Sequence, residues 1–400
     1  MNTAAVATDG QTQIWRDPKK LLWLAGLLVP LFPFGAAWLA LELGWRVAWW
    51  MGPIWILVVV PVADLVLGTD VANPPEWAEK QLEDDRYYRW CTYLFLPMQL
   101  VALGFSCWLV TQRPDLAWVD WLGFALTVGA VGGVGINTSH ELGHKKPKHE
   151  RWLAKLALAQ VAYGHFFVEH NRGHHTRVAT PEDPASSRMG ESFWAFLPRT
   201  VVGSVQSAWG LERSRLSRHG KSIWSTDNDV LHAWAMTVVL YAALVVAFGP
   251  AILGFLAIQA VFGFSLLEVV NYLEHYGLLR QQDTEGHRVR CNPQHSWNSN
   301  HIASNLLLYN LERHSDHHAW PARRYQALRH FPEAPQLPSG YGGMLALALF
   351  PPLWRAVMDP RVVRHYGGDV SLANLHPPAR EALLRRWGQQ QPQPQVVAVQ

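Results

Sequence analysis

Six blocks of about 20 mostly apolar residues limit the fold of this chain more than any other feature of its sequence. A helix of that length crosses the hydrocarbon core of a bilayer, so each block predicts a transmembrane span. The mean hydropathy of -0.02 resembles that of a soluble protein, but it averages these blocks with long charged segments. The 21 Trp residues also favour a membrane protein, because indole rings prefer the membrane interface. The predicted spans are residues 21–42, 47–67, 90–110, 118–139, 230–248 and 252–272.

An even number of spans places both ends of the chain on the same side of the membrane. The loops on the opposite side contain only two of the 34 Lys and Arg residues, Arg46 and Arg113. Because cytoplasmic loops are enriched in Lys and Arg, we expect both termini in the cytoplasm. The predicted fold is therefore an all-α integral membrane protein, with six transmembrane helices and a cytoplasmic cap of helices and loops.

This topology divides the chain into six segments. They are a cytoplasmic N-terminal segment (1–20), spans one to four (21–144), a cytoplasmic segment (145–229), spans five and six (230–276), a cytoplasmic cap (277–387), and a Gln- and Pro-rich tail or linker (388–400).

Charge and cysteine content argue against several classes of protein. The formal net charge of +3 is too small to predict nucleic-acid binding. Cys91, Cys107 and Cys291 form no CxxC pair, which argues against a disulfide framework, a thiolate zinc site or a built-in thiolate iron centre. Any redox chemistry in this chain would therefore need electrons from outside it.

Nine histidines in four short motifs are the most specific chemical feature of the sequence. The motifs are HELGH, EHNRGHH, NYLEHYGL and LERHSDHH, and all fall on the predicted cytoplasmic side. Histidine is the commonest metal-ligating side chain, and nine exceed what one tetrahedral zinc ion can use. We therefore expect more than one metal ion at the cytoplasmic mouth of the helical bundle. The predicted ligands are His140, His144, His170, His174, His175, His275, His314, His317 and His318.

The first motif taken alone has a second interpretation. HELGH matches the zinc-protease pattern, in which two histidines hold zinc and the intervening glutamate, here Glu141, is the general base. A protease of that kind has no use for the other three motifs. Any single cluster could equally consist of surface histidines, whereas several together favour a metal centre.

Carboxylates lie beside the predicted ligands in all four motifs. Metal-bound histidine usually donates its second ring N–H to a carboxylate or a carbonyl, so these groups are predicted to orient the histidines. The alternatives are direct bridging ligands and solvated loop charges. The carboxylates are Glu141, Glu169, Glu274, Glu312 and Asp316.

Span six carries a polar face that leads to the isolated histidine of the fourth motif. Polar groups inside a span usually face the bundle interior and mark a functional path, which favours His275 as a ligand over a core residue. Asp64 and Asn137 are weaker candidates, since each could simply bond a neighbouring backbone. The residues of the face, at a 4, 3, 4 spacing, are Phe264, Glu268, Asn271 and His275.

The four motifs, with Lys145 directly after the first, closely resemble those of the membrane di-iron alkane monooxygenases, the alkane ω-hydroxylases of bacteria. The resemblance covers the six-span order as well, over roughly residues 20–350. Membrane fatty-acid desaturases and hydroxylases share histidine motifs and are wider relatives.

The resemblance implies a specific activity and a set of partners. It implies two non-haem iron ions held by the nine histidines and hydroxylation of the terminal methyl of medium-chain n-alkanes with O2. Electrons would come from a rubredoxin, separate or fused beyond the tail, which an NADH-dependent reductase reduces. The bacterial inner membrane is the implied location. Alternatives are a related desaturase or hydroxylase acting on fatty acyl or aromatic substrates, a membrane zinc protease and a metal transporter.

An alkane partitions into lipid, so we expect it to reach the metal site between spans. Trp23, Trp55 and Phe264 are candidates to line that channel, and the alternative is that these rings pack helices or face lipid. The basic residues Lys145, Lys146, Lys148 and Arg151 predict a docking surface for an acidic rubredoxin.

Overall fold

A computed structural model describes residues 14–388, and six long apolar helices within them confirm the predicted membrane class. Their ends differ from the predicted ends by no more than four residues. Among the described residues the strand-type pairings are isolated bridges, so this part of the chain is helical. Residues 1–13, and the predicted tail after Gly388, lie outside the described residues. Spans one to six are Lys20–Glu42, Arg46–Leu67, Arg86–Gln112, Trp118–Gly143, Asp229–Phe248 and Pro250–His275.

Further helices form much of the chain outside the spans. The longest is Phe193–Arg218, and Lys148–Ala159 packs beneath spans four and five through buried Ala154 and Leu158. The apolar stretch 153–167 therefore packs under the bundle, which was one of its two predicted positions. The other helices of four or more residues are Glu79–Asp84, Glu169–His174, Ile302–Leu307, His314–Ala319, Tyr341–Ala348, Pro351–His365 and Arg380–Trp387.

Prolines make the first two spans irregular. Span one is a 3-10 helix over Lys20–Leu31 and an α-helix over Phe32–Glu42, with Pro30 beside the junction. Span two contains a wide π-helical turn, Trp55–Val59, shortly before Pro61. Proline has no N–H to donate to the preceding turn, so both helices change their hydrogen-bonding pattern near these residues.

Spans four and six approach each other closely where glycines lie at their contact. A side-chain carbon added at Gly129 would lie 2.6 Å from the carbonyl oxygen of Gln259, and one added at Gly263 would lie 3.1 Å from the carbonyl oxygen of Gly129. Small residues allow this backbone approach in membrane helices. The close packing brings the ends of the two spans, with His140 and His275, to the same place.

Polar side chains within the spans anchor the segment that follows span six. Asp64 accepts hydrogen bonds from the backbone N–H of Ser304 at 3.0 Å and from its hydroxyl at 2.5 Å. Asn137 donates to the carbonyl oxygen of Leu308 at 2.6 Å. Asn137 thus bonds a neighbouring backbone, which was the alternative interpretation for this residue. The contacts of Asp64 and Asn137 together hold the third histidine motif against the bundle.

Candidate metal centre

The nine histidines of the four motifs converge into two groups. In each group, one ligand atom per residue lies within 4.8 Å of the ligand atoms of the others. The motifs do not map one to one onto the groups, because the second and third motifs contribute to both. The five-histidine group is His140, His144, His170, His175 and His317, and the four-histidine group is His174, His275, His314 and His318.

Local helix geometry explains how adjacent histidines reach different groups. The second motif lies on a π-helical turn, Glu169–His174, in which residues five apart share a face. His170 and His175 therefore meet, with their Nε2 atoms 3.1 Å apart, while His174 turns toward the other group. In the α-helix His314–Ala319, by contrast, residues four apart share a face, and the Nε2 atoms of His314 and His318 lie 2.9 Å apart.

Ring nitrogens of eight of the nine histidines face one another in close pairs. In the five-histidine group, the Nε2 atoms of His140 and His317 lie 2.8 Å apart, and those of His317 and His175 lie 3.1 Å apart. In the four-histidine group, the Nε2 atom of His314 lies 3.3 Å from that of His275, and the Nε2 atoms of His174 and His318 are 3.3 Å apart.

These contacts fit a metal ion in each group. A shared N–H satisfies only one contact, so several nitrogens in each group present lone pairs toward a common centre. The buried Nε2 of His144 has no hydrogen-bond partner among the described residues. Burial, reinforced by the neighbouring imidazoles, holds the pKa of His144, His170 and His318 well below the ordinary value. The rings are therefore neutral near pH 7, as metal ligation requires.

Two groups outside the predicted carboxylates orient histidines of the four-histidine group. The Nδ1 atom of His174 lies 2.9 Å from a carboxylate oxygen of Asp183, which also accepts from the hydroxyl of Ser186 at 2.6 Å. The Nδ1 atom of His275 lies 3.2 Å from the carbonyl oxygen of His295. Burial raises the pKa of Asp183, but the contact with His174 outweighs it and leaves the pKa below the ordinary value.

Sequence reasoning missed Asp183 because it searched only within the histidine motifs. Asp183 follows His174 by nine residues, in a turn before Pro184. An acidic residue in a short turn after a ligand motif is the only signal the sequence offered for it. A backbone carbonyl such as that of His295 leaves no signal in the sequence.

Glu274 is the predicted carboxylate that contacts a histidine of the groups. One of its oxygens lies 3.2 Å from the Nε2 atom of His314, which is the nitrogen that faces the rest of the group. Its other oxygen accepts a hydrogen bond from the hydroxyl of Tyr341 at 2.8 Å. Glu274 therefore lies where a direct ligand would be, which was one of the predicted alternatives for these carboxylates.

The other polar candidates contact groups outside the two histidine sets. Each bonds a cation, a backbone N–H or a neighbouring polar side chain. Glu141 lies 3.1 Å from the ammonium of Lys145, Glu169 lies 3.0 Å from Arg177, Glu312 accepts from the N–H of Tyr341 at 2.6 Å, Asp316 pairs with Arg323 at 2.5 Å, Glu268 accepts from Tyr163 at 2.7 Å, and Asn271 donates to Glu268 at 3.2 Å.

A narrow apolar cavity of about 100 Å³ connects the membrane spans with both histidine groups. The walls of its membrane end include Phe32, Trp55 and Leu266, from spans one, two and six. Its inner end includes Glu274 and three of the histidines. Those histidines are His140 and His170 of the five-histidine group and His314 of the four-histidine group.

Only one of the three aromatic channel candidates lines this cavity. Trp55 lines it, and the indole of Trp55 packs edge-on against Phe32 at 5.1 Å. Trp23 instead donates to the carboxylate of Asp17 at 3.0 Å and is 1% exposed. Phe264 stacks on Tyr163, with 4.9 Å between ring centroids. The last two rings pack helices, which was the alternative interpretation for all three.

Lys145 does not belong to an external docking surface, so that part of the prediction is wrong. Its side chain is 3% exposed and pairs with Glu141. Its ammonium also donates to the carbonyl oxygen of Arg323 at 2.7 Å. A cation buried in this way cannot meet an incoming protein. Lys146 and Lys148 remain exposed, and Arg151 is half-buried.

An apolar cavity runs between the membrane helices to two clusters of imidazoles. This arrangement defines a class of protein, the multi-pass membrane metalloenzymes that act on apolar molecules. The comparisons with known proteins agree with this class. Residues 116–346 match the model of the family described as "Fatty acid desaturase".

Two curated relatives match almost the whole chain. The alkane 1-monooxygenase of Ectopseudomonas oleovorans is 49% identical over 372 residues, which are 93% of this chain and 92% of the relative. Alkane 1-monooxygenase 1 of Alcanivorax borkumensis is 49% identical over 383 residues, which are 95% and 94% of the two chains. The chain therefore belongs to the alkane 1-monooxygenase family, as its motifs predicted.

Proposed function

We propose that this protein hydroxylates the terminal methyl group of medium-chain n-alkanes, using O2 and two electrons. The observation that carries this proposal is the apolar cavity, which leads from the spans to histidines of both groups. One oxygen atom of O2 enters the C–H bond and gives a primary alcohol. The other leaves as water, with the two electrons and two protons.

The nine histidines would hold two iron ions, one in each group. When bound, the irons supply the redox chemistry that activates O2. The residues of the chain do the rest. The apolar walls around Trp55 and Leu266 hold an alkane chain and exclude water, and Asp183 fixes the His174 ring so that its Nε2 faces the group.

The test is a reconstituted assay on the purified, iron-analysed protein. NADH, rubredoxin reductase and rubredoxin supply electrons, and alkanes, fatty acids and xylene are offered in parallel. We expect about two irons per chain and primary alcohols from alkanes. The xylene arm is included because a more distant relative, 27% identical over 325 residues, is the xylene/toluene monooxygenase hydroxylase component of Pseudomonas putida. A single zinc per chain, or no oxygenated product, would contradict the proposal.

The electron donor is proposed to be a rubredoxin that approaches from the cytoplasm. It is either a separate protein or a domain fused beyond Gln400. The proposed orientation in the bacterial inner membrane, with both termini cytoplasmic, rests on the asymmetry of Lys and Arg. His144 and His175, which are only partly buried, mark the side from which electrons would reach the five-histidine group.

Trp55→Ser is expected to extend the accepted alkanes by several carbons, because removal of the indole lengthens the cavity. The product lengths from a series of n-alkanes, measured by gas chromatography, give the result. Trp38→Ser is the matched control, since Trp38 lies in span one, is 58% exposed and does not line the cavity. An unchanged upper limit in a folded Trp55→Ser protein would remove Trp55 from the substrate path.

Rubredoxin-driven turnover is expected to weaken with salt and with the loss of Lys146, an exposed cation on the histidine side. Lys146→Gln should raise the KM for rubredoxin several-fold and change kcat little, because a surface charge affects association more than the reaction. Arg113→Gln is the control, since Arg113 lies on the opposite side of the membrane from the histidines. Equal effects of the two variants would contradict the proposed donor side.

A further inference from the structure

A second cleft, of about 610 Å³, opens at the start of span five. Its walls come from the Lys148–Ala159 helix, from the end of the Phe193–Arg218 helix and from the first turn of span five. None of the nine histidines of the metal centre lines it. Arg172 does line it, and this residue lies between His170 and His174 in the chain. The cleft is thus a separate site that adjoins the histidine-bearing turn.

The cleft carries an excess of cations, although four of the six are paired with carboxylates, Arg172 and Arg215 among them with buried Glu212. Six Lys and Arg side chains line it, against two carboxylates. The carboxylates are already paired, because Asp229 lies 2.6 Å from Lys155 and 2.5 Å from Arg172, and Asp227 pairs with Lys221. Lys148 and Arg151 form no salt bridge with any described residue. The cations are Lys148, Arg151, Lys155, Arg172, Arg215 and Lys221.

Lipid would lie directly beside this cleft. Span five is the least covered of the six spans, with 11% of its apolar window buried. Val239 and Val246 on this span are 67% and 88% exposed. A lipid whose acyl chains follow this exposed face would place its headgroup where the span begins, at Asp229 and the basic cleft.

Two exposed tryptophans lie at the cleft or just before span five in the chain. Trp152 lines the cleft, is 46% exposed and lies against the ring of His232 at 5.2 Å between centroids. Trp224, just before the span, is 72% exposed. Exposed indole rings of this kind are typical of the depth at which lipid headgroups lie.

We propose that this cleft binds the phosphate of an anionic phospholipid whose acyl chains lie along span five. Unpaired Lys148 and Arg151 supply the attraction, and basic pockets between membrane helices are typical sites for such headgroups. An acidic protein is the rival occupant, but a concave cleft beside the most lipid-exposed span suits a headgroup better than a protein surface. The inference does not depend on the reaction at the histidines.

The experiment measures lipid binding to the purified full-length protein by native mass spectrometry. Phosphatidylglycerol and phosphatidylcholine with identical acyl chains are titrated separately. We expect preferential binding of phosphatidylglycerol, and about 30-fold weaker binding in Lys148→Gln/Arg151→Gln, as for the loss of two cations near an anionic lipid. Phosphatidylcholine binding should not change. Iron content and elution volume check that the variant is folded.

Arg385→Gln/Arg386→Gln is the matched control, because it removes the same charge from the Arg380–Trp387 helix, which does not line the cleft. This variant should bind phosphatidylglycerol like the wild type. Equal binding of the two lipids, or equal loss in both double variants, would overturn the proposal. Displacement of bound phosphatidylglycerol by millimolar inorganic phosphate would also overturn it, because the cleft would then be a site for free anions. If Lys148→Gln/Arg151→Gln bound lipid like the wild type but had a raised KM for rubredoxin, the cleft would be assigned to the electron donor instead.

Discussion

His318→Ala is expected to lower the iron content from about two to about one per chain and to reduce alkane hydroxylation by at least about 100-fold. The reason is the number of ligands in each group. The four-histidine group would keep three imidazoles after this change, with the Glu274 carboxylate as the one further candidate ligand beside them. His144→Ala takes one ligand from the five-histidine group and leaves four, the number of histidines in the intact four-histidine group. We therefore expect His144→Ala to retain more iron than His318→Ala.

Iron analysis and turnover on the same preparations distinguish these outcomes. His287→Ala is the control, because His287 is exposed and lies outside both groups. It should retain two irons and full activity. Retention of both irons in His318→Ala would contradict the proposed ligand set. If either variant lost both irons at once, the two groups would form a single site and the division into five and four would fail.

The sequence predicted the fold and the convergence of the histidines because both signals are local. An apolar run long enough to cross a bilayer identifies a span wherever it occurs. The ends of the six observed spans lie within four residues of the predicted ends. The motifs at the ends of spans four and six had to meet once those spans packed together. Gly129 and Gly263 bring that contact close, but no feature of the sequence alone identifies them as partners.

The division of the histidines could not be predicted, because it depends on backbone geometry. A repeated four-residue spacing predicts that His170 and His174 share a face of an α-helix. The Glu169–His174 segment is π-helical, so His170 instead meets His175, and His174 joins the other group. A change of less than one residue per helical turn thus decides to which of the two groups each histidine of this motif belongs.

A position next to a ligand in the chain was also a poor guide to which groups the carboxylates contact. Neighbouring residues of an α-helix point about 100° apart, so a carboxylate next to a ligand usually faces elsewhere. Glu141 follows His140 and meets Lys145 instead of a histidine ring. The same contact buries Lys145, which the sequence had assigned to the surface. Glu274 reaches a ring from another element, the one that carries His314.

Asp183→Ala is expected to reduce alkane turnover by about 100-fold and Asp183→Asn by about 10-fold, the range typical for groups that orient metal-ligating histidines. The carboxylate of Asp183 holds the Nδ1–H of His174, so that the Nε2 atom faces the four-histidine group. Alanine removes the acceptor, whereas asparagine keeps a carbonyl oxygen but loses the negative charge. Iron retention after dialysis against a chelator should fall in the same order, since a freely rotating ring binds metal less tightly.

Glu169→Gln is the control that separates this role from a general effect of lost buried charge. Glu169 lies in the second motif, is buried like Asp183 and bonds Arg177 at 3.0 Å, with no hydrogen bond or salt bridge to a histidine ring among the described residues. Burial raises its pKa to about 7, so the carboxyl is partly protonated near neutral pH and the amide resembles its neutral form. Iron retention should therefore stay close to that of the wild type. If Glu169→Gln released iron as readily as Asp183→Ala, proximity to the motif, and not the contact with His174, would be what matters.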